Sequence, residues 1–445
     1  MSNNFALFAD LYELTMAQAY LNEGMTGIAT FSLFVRRMPH SRDFLVACGL
    51  DTVLDYLENL HFDEDDIAYL RSLKKFSDVF LSWLQNFRFS GTVCAVAEGT
   101  PVFANEPILE IVAPLPEAQI VETFVMNQIH LQTLLCSKAQ RVVTAASGRP
   151  VIDFGARRMH GTDAAIKGAR AFYIGGVSAT SNLLGAKIYK IPLTGTMAHS
   201  YIQSHEDEKE AFRAFARMYP ETILLVDTYD TMEGLRKIVE LKKELGSDFR
   251  IKGVRLDSGD LLSLSQKARK ILDESGLKNV EIFVSGGLDE YMVAQLVSSG
   301  APIDGFGVGT KMGVSKDAPD LDIAYKLCEY SGRGCLKLSP GKTVLPGRKQ
   351  VFRVSDGTEY LYDVVGKADE ILTGKPLLNV VMQDGKRLAS GKIELKSIRE
   401  YAAVEIALLP AGIRNIPPSD SPYPVKVSPA LAKYQKEVEE GLMTT

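Results

Sequence analysis

The feature that most restricts how this chain can fold is a recurring unit, a short apolar run that ends in small, polar or charged residues and is followed by a helical segment. The runs are PVIDFGARR (150–158), IYKIPLTGTMAHS (188–200), TILLVDTYDT (222–231), IKGVRLDSGD (251–260), VEIFVSGGLDE (280–290) and IDGFGVGTK (303–311). Their polar ends fall near 153–158, 194–199, 227–230, 255–260, 285–287 and 307–311. Successive ends are spaced by roughly 25–40 residues, the length of one strand plus one helix. Apolar runs without alternation mean strands buried on both faces. With the Gly- and Ser-rich stretch YIGGVSATSN (173–182), this rhythm predicts a parallel α/β barrel whose chemistry sits at the carboxyl ends of the strands. An open doubly wound sheet has the same local signature. The barrel is favoured because the polar termini continue through every unit, whereas an open sheet gathers them at a switch point.

The flanking regions differ in character. At 445 residues the chain is too long for one ordinary core, and its patterning divides it at 1–116, 117–330 and 331–445. In the first part Asp10 and Glu13 of ADLYELTMAQAYL suggest a capping box, and TGIATFSLFVRR reads as a strand. The segment 91–115 reads as a small β-rich unit, and PEAQIVETFVMNQIHLQTLLCSKAQRVVTAA as one long amphipathic helix. In the last part LSPGKTVLPGRKQ (338–350) reads as a loop. VFRVSDGTEYLYDVV and PLLNVVMQDGKRL read as hairpins with Asp-Gly turns. Ser397 with Glu400 suggests a capped helix, and Ser428-Pro429 starts a last one.

A net charge of −5 argues against holding nucleic acid or an anionic membrane by charge alone. The five cysteines form no CxxC pair, so neither a zinc site nor a disulfide framework is expected. Asp10 and Glu13 stand where a signal peptide needs an apolar core, and no apolar run has membrane-spanning length. A soluble, cytoplasmic protein is the expectation.

The strand ends carry the candidate chemistry. In GFGVGTKMG, Gly305, Gly307 and Gly309 let backbone amides approach a ligand, and Thr310 and Lys311 add a hydroxyl and a charge, as a phosphate cradle needs. Ser285, Gly286 and Gly287 stand at the preceding strand end. Each glycine loop alone reads as a tight turn; two in succession point to phosphate. Arg255 and Asp257 flank one residue and so share a side of the strand, either as a structural ion pair or as an anion fork beside a Mg²⁺ ligand. Asp227 and Asp230 offer further oxygens. Phe154 with Arg157 and Arg158 suits an aromatic ligand bearing negative charge. His199, beside Thr196, is either structural or a base or phosphoryl acceptor. No GxSxG elbow supports a Ser-His-Asp hydrolase.

DLYELTMAQAY, DFGARR, GTMAHS, VRLDSGD and GFGVGT, in this order, closely resemble nicotinate phosphoribosyltransferase, and the match spans residue 10 to about 330. The resemblance implies a type II phosphoribosyltransferase fold, an atypical parallel α/β barrel with an N-terminal α+β domain on which the C-terminal hairpins and helices pack back to complete it, assembled as a homodimer with shared active sites. It implies conversion of nicotinate and phosphoribosyl pyrophosphate to nicotinate mononucleotide and pyrophosphate, the first step of NAD salvage from nicotinate. ATP as co-substrate would drive the reaction through a phosphohistidine at His199, with Mg²⁺ as cofactor. Tyr12 of a neighbouring subunit would stack on the pyridine opposite Phe154. Thr196 and Arg255 would contact nicotinate, and Arg157 the ribose phosphate or pyridine. Gly286, Gly287, Gly309 and Thr310 would hold the 5-phosphate, while Asp227 and Asp257 would lie near ribose or metal. Ser181 stands where nicotinamide-using relatives carry an aspartate, which favours an acid as substrate. Three other readings compete: a quinolinate phosphoribosyltransferase, a barrel aldolase with Lys311 as its loose Schiff-base candidate, and a catalytically dead scaffold.

Overall fold

The structure, a computed structural model, describes residues 5–338 and 344–443. The loop expected at 338–350 therefore lies, for 339–343, outside the described residues. The chain forms two compact units, one of residues 1–134 with 320–445, the other of 135–319. The sequence put these divisions at 117 and 330. They shift because the first half of helix Glu122–Ala146 supplies Phe124, Val125, Ile129 and Leu134 to the core of the first unit. Strand Ile323–Tyr330 also joins that unit's sheet, Ala29 opposite Tyr330.

The first unit is built on a seven-stranded sheet. An inner strand is Ile28–Val35, where every residue but Ile28 is buried, flanked antiparallel by Ile323–Tyr330 and Pro107–Pro114. The C-terminal hairpin extends this sheet, Asn379 pairing with Ala95 and Val380 with Cys94. Its turn, Asp384-Gly385, holds positive φ at both residues, as the Asp-Gly signal requires. The other hairpin, Lys349–Ser355 with Tyr360–Lys367, heads a four-stranded sheet.

Three local expectations are corrected. The single helix expected over 116–146 is two, Leu115–Ile120 and Glu122–Ala146, because the Val121 N–H turns back to the Gln119 carbonyl. Ser397 lies inside helix Leu395–Ala407, whose N-cap is Glu394. Asp10 does precede helix Leu11–Asn22, yet its side chain makes no cap bond. Glu13 turns away from it and accepts the Thr123 N–H at 3.0 Å together with the Thr123 hydroxyl. The last helix behaves as expected, Ser428 Oγ accepting the Leu431 N–H at 3.0 Å.

Glu13 is fully buried, and its Oε2 has no partner among the described residues. Burial, with Glu122 and Asp10 nearby, pushes its pKa up to about 8 against the Thr123 bonds that lower it. Tyr12 and Tyr56 feel the same carboxyl. A folded-state pKa above the ordinary 4.5 means that the folded chain keeps a proton the unfolded chain loses. The stabilisation is full below pH 4.5 and is lost as pH rises to about 8, by at most about 1.4 kcal/mol per pH unit. The wild-type melting temperature should therefore fall more steeply between pH 5 and 8 than that of Glu13→Gln. Parallel slopes would show that Glu13 ionises normally.

The second unit carries a curled parallel sheet in an α/β arrangement, a half-barrel. Its strands in chain order are Val151–Asp153, Ala179–Thr180, Ile223–Leu225, Gly253–Leu256, Glu281–Val284 and Gly305–Val308, called here the first to sixth. In the sheet the order is second, first, sixth, fifth, fourth, third. This is the cyclic order of a barrel, with the sixth strand paired to the first, Gly307 beside Ile152, and an opening between the second and third. The run 188–200 does not form the strand expected of it. Its start belongs to helix Leu183–Tyr189, and only Leu193 bridges to Thr180, because Pro192 lacks an N–H and Gly195 favours a turn. Ala179–Thr180, from the Gly- and Ser-rich stretch, takes its place.

Helices fill the connections, and aspartates begin them. Asp230, Asp260 and Asp289 accept the N–H groups of Glu233, Ser263 and Met292 at 2.8, 3.2 and 2.9 Å, satisfying donors that a helix start leaves open. Asp230 is thus a helix cap, which corrects its expected role as a metal ligand. Among the described residues no helix is long and apolar enough to cross a membrane.

Candidate active site

The polar ends of the barrel strands converge on Arg255, on the fourth strand, whose side chain is 12% exposed. Its Nε donates to Thr196 Oγ1 at 3.1 Å, Nη1 to Asp257 Oδ1 and Ser285 Oγ at 3.0 Å each, and Nη2 to the Met197 carbonyl at 2.7 Å. Burial lowers its pKa, countered by Asp257 and Asp227. A guanidinium this enclosed depends on those partners, since stripping a buried cation of its counter-charge costs roughly 3–5 kcal/mol. Ser285 donates in turn to Asp257. Buried and engaged by both neighbours, its hydroxyl joins arginine to aspartate.

Asp257 reaches further along the rim. Its N–H donates to Asp227 Oδ2 at 2.7 Å, where the Ser258 hydroxyl also donates at 3.0 Å. Its Oδ2 lies 3.7 Å from His199 Nε2. His199 opens the short helix His199–Gln203, and its Nδ1 is 3.1 Å from Thr228 Oγ1. The third and fourth strand ends thus hold one ring nitrogen by a hydroxyl and turn the other toward a carboxylate. No group of three or more His, Cys, Asp or Glu that could hold a metal occurs among the described residues. Asp227 Oδ1 is nevertheless buried with no partner among them. Together with Asp257 Oδ2 it gives two carboxylate oxygens, which fit Mg²⁺ when substrate oxygens and water complete the octahedron.

The glycines divide by role. Gly286 has φ +90°, and a Cβ there would stand 1.8 Å from the Asp257 carbonyl oxygen, so the turn after the fifth strand passes directly over the fourth. Gly287, at φ +64°, has open space beside it, as an amide turn for a ligand would. Gly307 is different, since its Cβ position meets the Phe154 ring at 2.5 Å. Its missing side chain makes room for the aromatic ring. The same ring lies 5.9 Å from the Arg255 guanidinium carbon, and the Phe154 N–H donates to Val308 at 2.9 Å. Gly309 precedes Thr310, whose hydroxyl accepts from Arg158 Nη1 at 3.3 Å. Arg157 is exposed. Lys311 pairs with Asp289 at 2.7 Å, so the expectation of an open charge in the cradle is corrected.

Two further expected residues stand differently. Ser181 is exposed, and its N–H donates to the Asp153 carbonyl at 2.9 Å. Tyr12 belongs to the first unit and is 44% exposed, beside the exposed Phe5, Phe8 and Leu11; burial and then Glu122 raise its pKa. Sequence reasoning missed Asp153 and Thr228. Asp153 accepts the Gly155 N–H at 2.8 Å and the Thr180 hydroxyl at 2.6 Å, tying the Phe154 turn to the second strand, and burial raises its pKa. Both stand at strand ends within the quoted runs, which was the available signal.

An α/β half-barrel whose strand ends gather amide turns, a buried arginine, two carboxylates, an aromatic face and an imidazole defines an enzyme class that handles anionic ligands at that rim. Comparison with known proteins narrows the class. A model of the nicotinate phosphoribosyltransferase N-terminal domain matches residues 7–130, and one of the nicotinate phosphoribosyltransferase family matches 150–339. A nicotinate phosphoribosyltransferase of Mycobacterium tuberculosis is 53% identical over 423 residues, 95% of this chain and 91% of that protein. One of Bacillus subtilis is 41% identical over 360 residues, 79% of this chain and 74% of its own. The crystal structure of human nicotinic acid phosphoribosyltransferase superposes with TM-score 0.85 at 25% identity, covering 96% of this chain and 99% of that one. That of nicotinate-nucleotide pyrophosphorylase from Pyrococcus furiosus gives 0.74 at 26%, covering 90% and 94%. The chain belongs to the nicotinate phosphoribosyltransferase family.

Proposed function

We propose that this chain joins nicotinate to phosphoribosyl pyrophosphate, giving nicotinate mononucleotide and pyrophosphate, the entry of nicotinate into NAD salvage. ATP hydrolysis drives the reaction through phosphorylation of His199. The observation that carries the reading is the convergence on Arg255, which links an aromatic face, a carboxylate and Thr196 at the mouth of a family-typical fold. The nicotinate carboxylate takes Thr196 and the Nη2 edge of Arg255, and the pyridine lies on Phe154. An exposed serine at 181, where a carboxylate would repel an acid, agrees with that choice. The turns at Gly286, Gly287, Gly309 and Thr310, with Arg157 and Arg158 at their edge, hold the ribose phosphate. The pyridine nitrogen forms its bond to the anomeric carbon as the bond to pyrophosphate breaks, in line and at close range. Asp257 and Asp227 face the positive charge that builds on the ribose. Mg²⁺, held by these two carboxylates, would neutralise the leaving pyrophosphate.

The exposed Phe5, Phe8, Leu11 and Tyr12 surface supports a homodimer in which Tyr12 of the partner subunit closes the pyridine from the opposite face. A cytoplasmic setting belongs to the same reading and is supported by five cysteines that are all free, as a reducing compartment keeps them. The reading is tested by offering nicotinate, nicotinamide or quinolinate with phosphoribosyl pyrophosphate and Mg²⁺, and identifying the mononucleotide by mass. Nicotinate should exceed nicotinamide in kcat/KM by at least roughly a hundredfold, since a site built for a carboxylate penalises its absence. Quinolinate as the better substrate would move the chain to the related decarboxylating activity.

A further inference from the structure

The two glycine turns leave neighbouring parallel strands, Phe283 beside Gly305 and Val284 beside Phe306. A phosphate gripped by both turns needs them at one spacing, yet each turn by itself is a flexible glycine segment. Lys311 follows Thr310 directly, and as the cation of the cradle sequence it reads as a phosphate ligand. Its Nζ instead lies 2.7 Å from Asp289 Oδ2, with the two side chains 24% and 19% exposed, and 3.7 Å from Met292 Sδ.

We propose that Lys311 is a positioning residue, holding the turn after the sixth strand to the turn after the fifth through Asp289 and leaving the phosphate itself to the backbone amides and Arg158. The proposal rests on the reading that these turns hold the 5-phosphate of phosphoribosyl pyrophosphate.

Asp289 is suited to be the fixed end of such a brace. Its Oδ1 caps helix Glu290–Ser298 through the Met292 N–H. The next residue, Glu290, is fully buried between Lys138 and Arg141, the latter at 3.0 Å. Lys138 also reaches Asp317 at 2.7 Å, so the root of the helix is locked by charge on both sides of the chain. Burial alone would raise the Asp289 pKa, but the bonds from Lys311 and Met292 outweigh it and hold the carboxyl below its ordinary value. Lys311 and Asp289 therefore engage each other, and Arg157 and Arg158, both exposed, with Arg158 Nη1 3.3 Å from Thr310 Oγ1, remain as open cations beside the turn.

The two roles for Lys311 predict opposite signs for one substitution. Asp289→Asn keeps a good helix cap and removes only the counter-charge. If Lys311 were a phosphate ligand, freeing it would leave ribose 5-phosphate binding unchanged or tighter. As a brace, its release weakens binding. Isothermal titration of the full chain with ribose 5-phosphate should show about tenfold weaker binding for both Asp289→Asn and Lys311→Met. The double variant should be no worse than either, because both substitutions cut one link, and Lys311→Arg should keep most of the affinity. In turnover, the KM for phosphoribosyl pyrophosphate should rise while kcat and the nicotinate KM hold. Wild type that binds ribose 5-phosphate while Asp289→Asn loses nothing, or losses that multiply in the double variant, would overturn the proposal alone. Wild type that does not bind ribose 5-phosphate would overturn the phosphate-site reading and this proposal with it.

Discussion

Gly286→Ala is expected to reduce kcat/KM at least roughly a hundredfold, the scale at which displacement of a reacting group by about an ångström is felt, and to lower the melting temperature markedly. Two separate costs combine at this position. A left-handed φ of +90° strains an alanine by roughly 1–2 kcal/mol. The added Cβ would also lie 1.8 Å from the Asp257 carbonyl oxygen, and a backbone atom has no rotamer with which to step aside. The strain must move either the turn or Asp257, and Asp257 is joined to Arg255, Ser285 and Asp227. Gly287→Ala is the control for the first cost alone, since φ is +64° with nothing within 4 Å. The variant at 287 should melt somewhat below wild type, through the strain alone, and that at 286 well below both. Equal melting temperatures would mean that the close approach to Asp257 is not real.

His199→Ala should abolish the stimulation of turnover by ATP, so that whatever rate remains is the same with and without it. The reason lies in how the ring is held. The 3.1 Å contact between Nδ1 and the Thr228 hydroxyl orients the ring and turns Nε2 toward Asp257; the tautomer with its proton on Nδ1 gives Nε2 the lone pair that attack requires. On the proposed reading Nε2 would attack the γ-phosphorus of ATP as the bond to the bridging oxygen breaks and ADP leaves, and water would later cleave the N–P bond and release phosphate. The added dianion beside Asp257 changes the electrostatics of the rim during the lifetime of the phosphoenzyme. An ATP stimulation equal to wild type in the variant would remove His199 from the coupling.

Much of this was legible in the sequence because strand-plus-helix units announce themselves by length and by polar ends. Five of the six apolar runs became barrel strands, since buried parallel strands need little more than β-branched and aliphatic residues. The remaining run, 188–200, failed at Pro192 and Gly195, where local backbone chemistry overrode hydropathy. Arg255 and Asp257 were readable as partners because residues two apart on a strand share a side. Spacing could not reveal that Asp230 and Asp289 cap helices, although Asp230 with Glu233 three residues on carries the capping pattern. Nor could it separate Gly286, fixed by a neighbouring carbonyl, from Gly307, which seats the Phe154 ring. Those distinctions depend on which strands become neighbours, and the order that sets the sixth strand beside the first is a property of the curled sheet alone.

The central claim is that the strand-end imidazole facing Asp257 receives the γ-phosphoryl group of ATP within a phosphoribosyl-binding rim. Incubation with γ-labelled ATP and Mg²⁺, followed by peptide mapping, tests it most directly. The predicted result is acid-labile label on the peptide containing His199 in wild type, discharged faster when nicotinate and phosphoribosyl pyrophosphate are added, and none in His199→Ala. Label retained in the variant, or carried by a different residue, would contradict it.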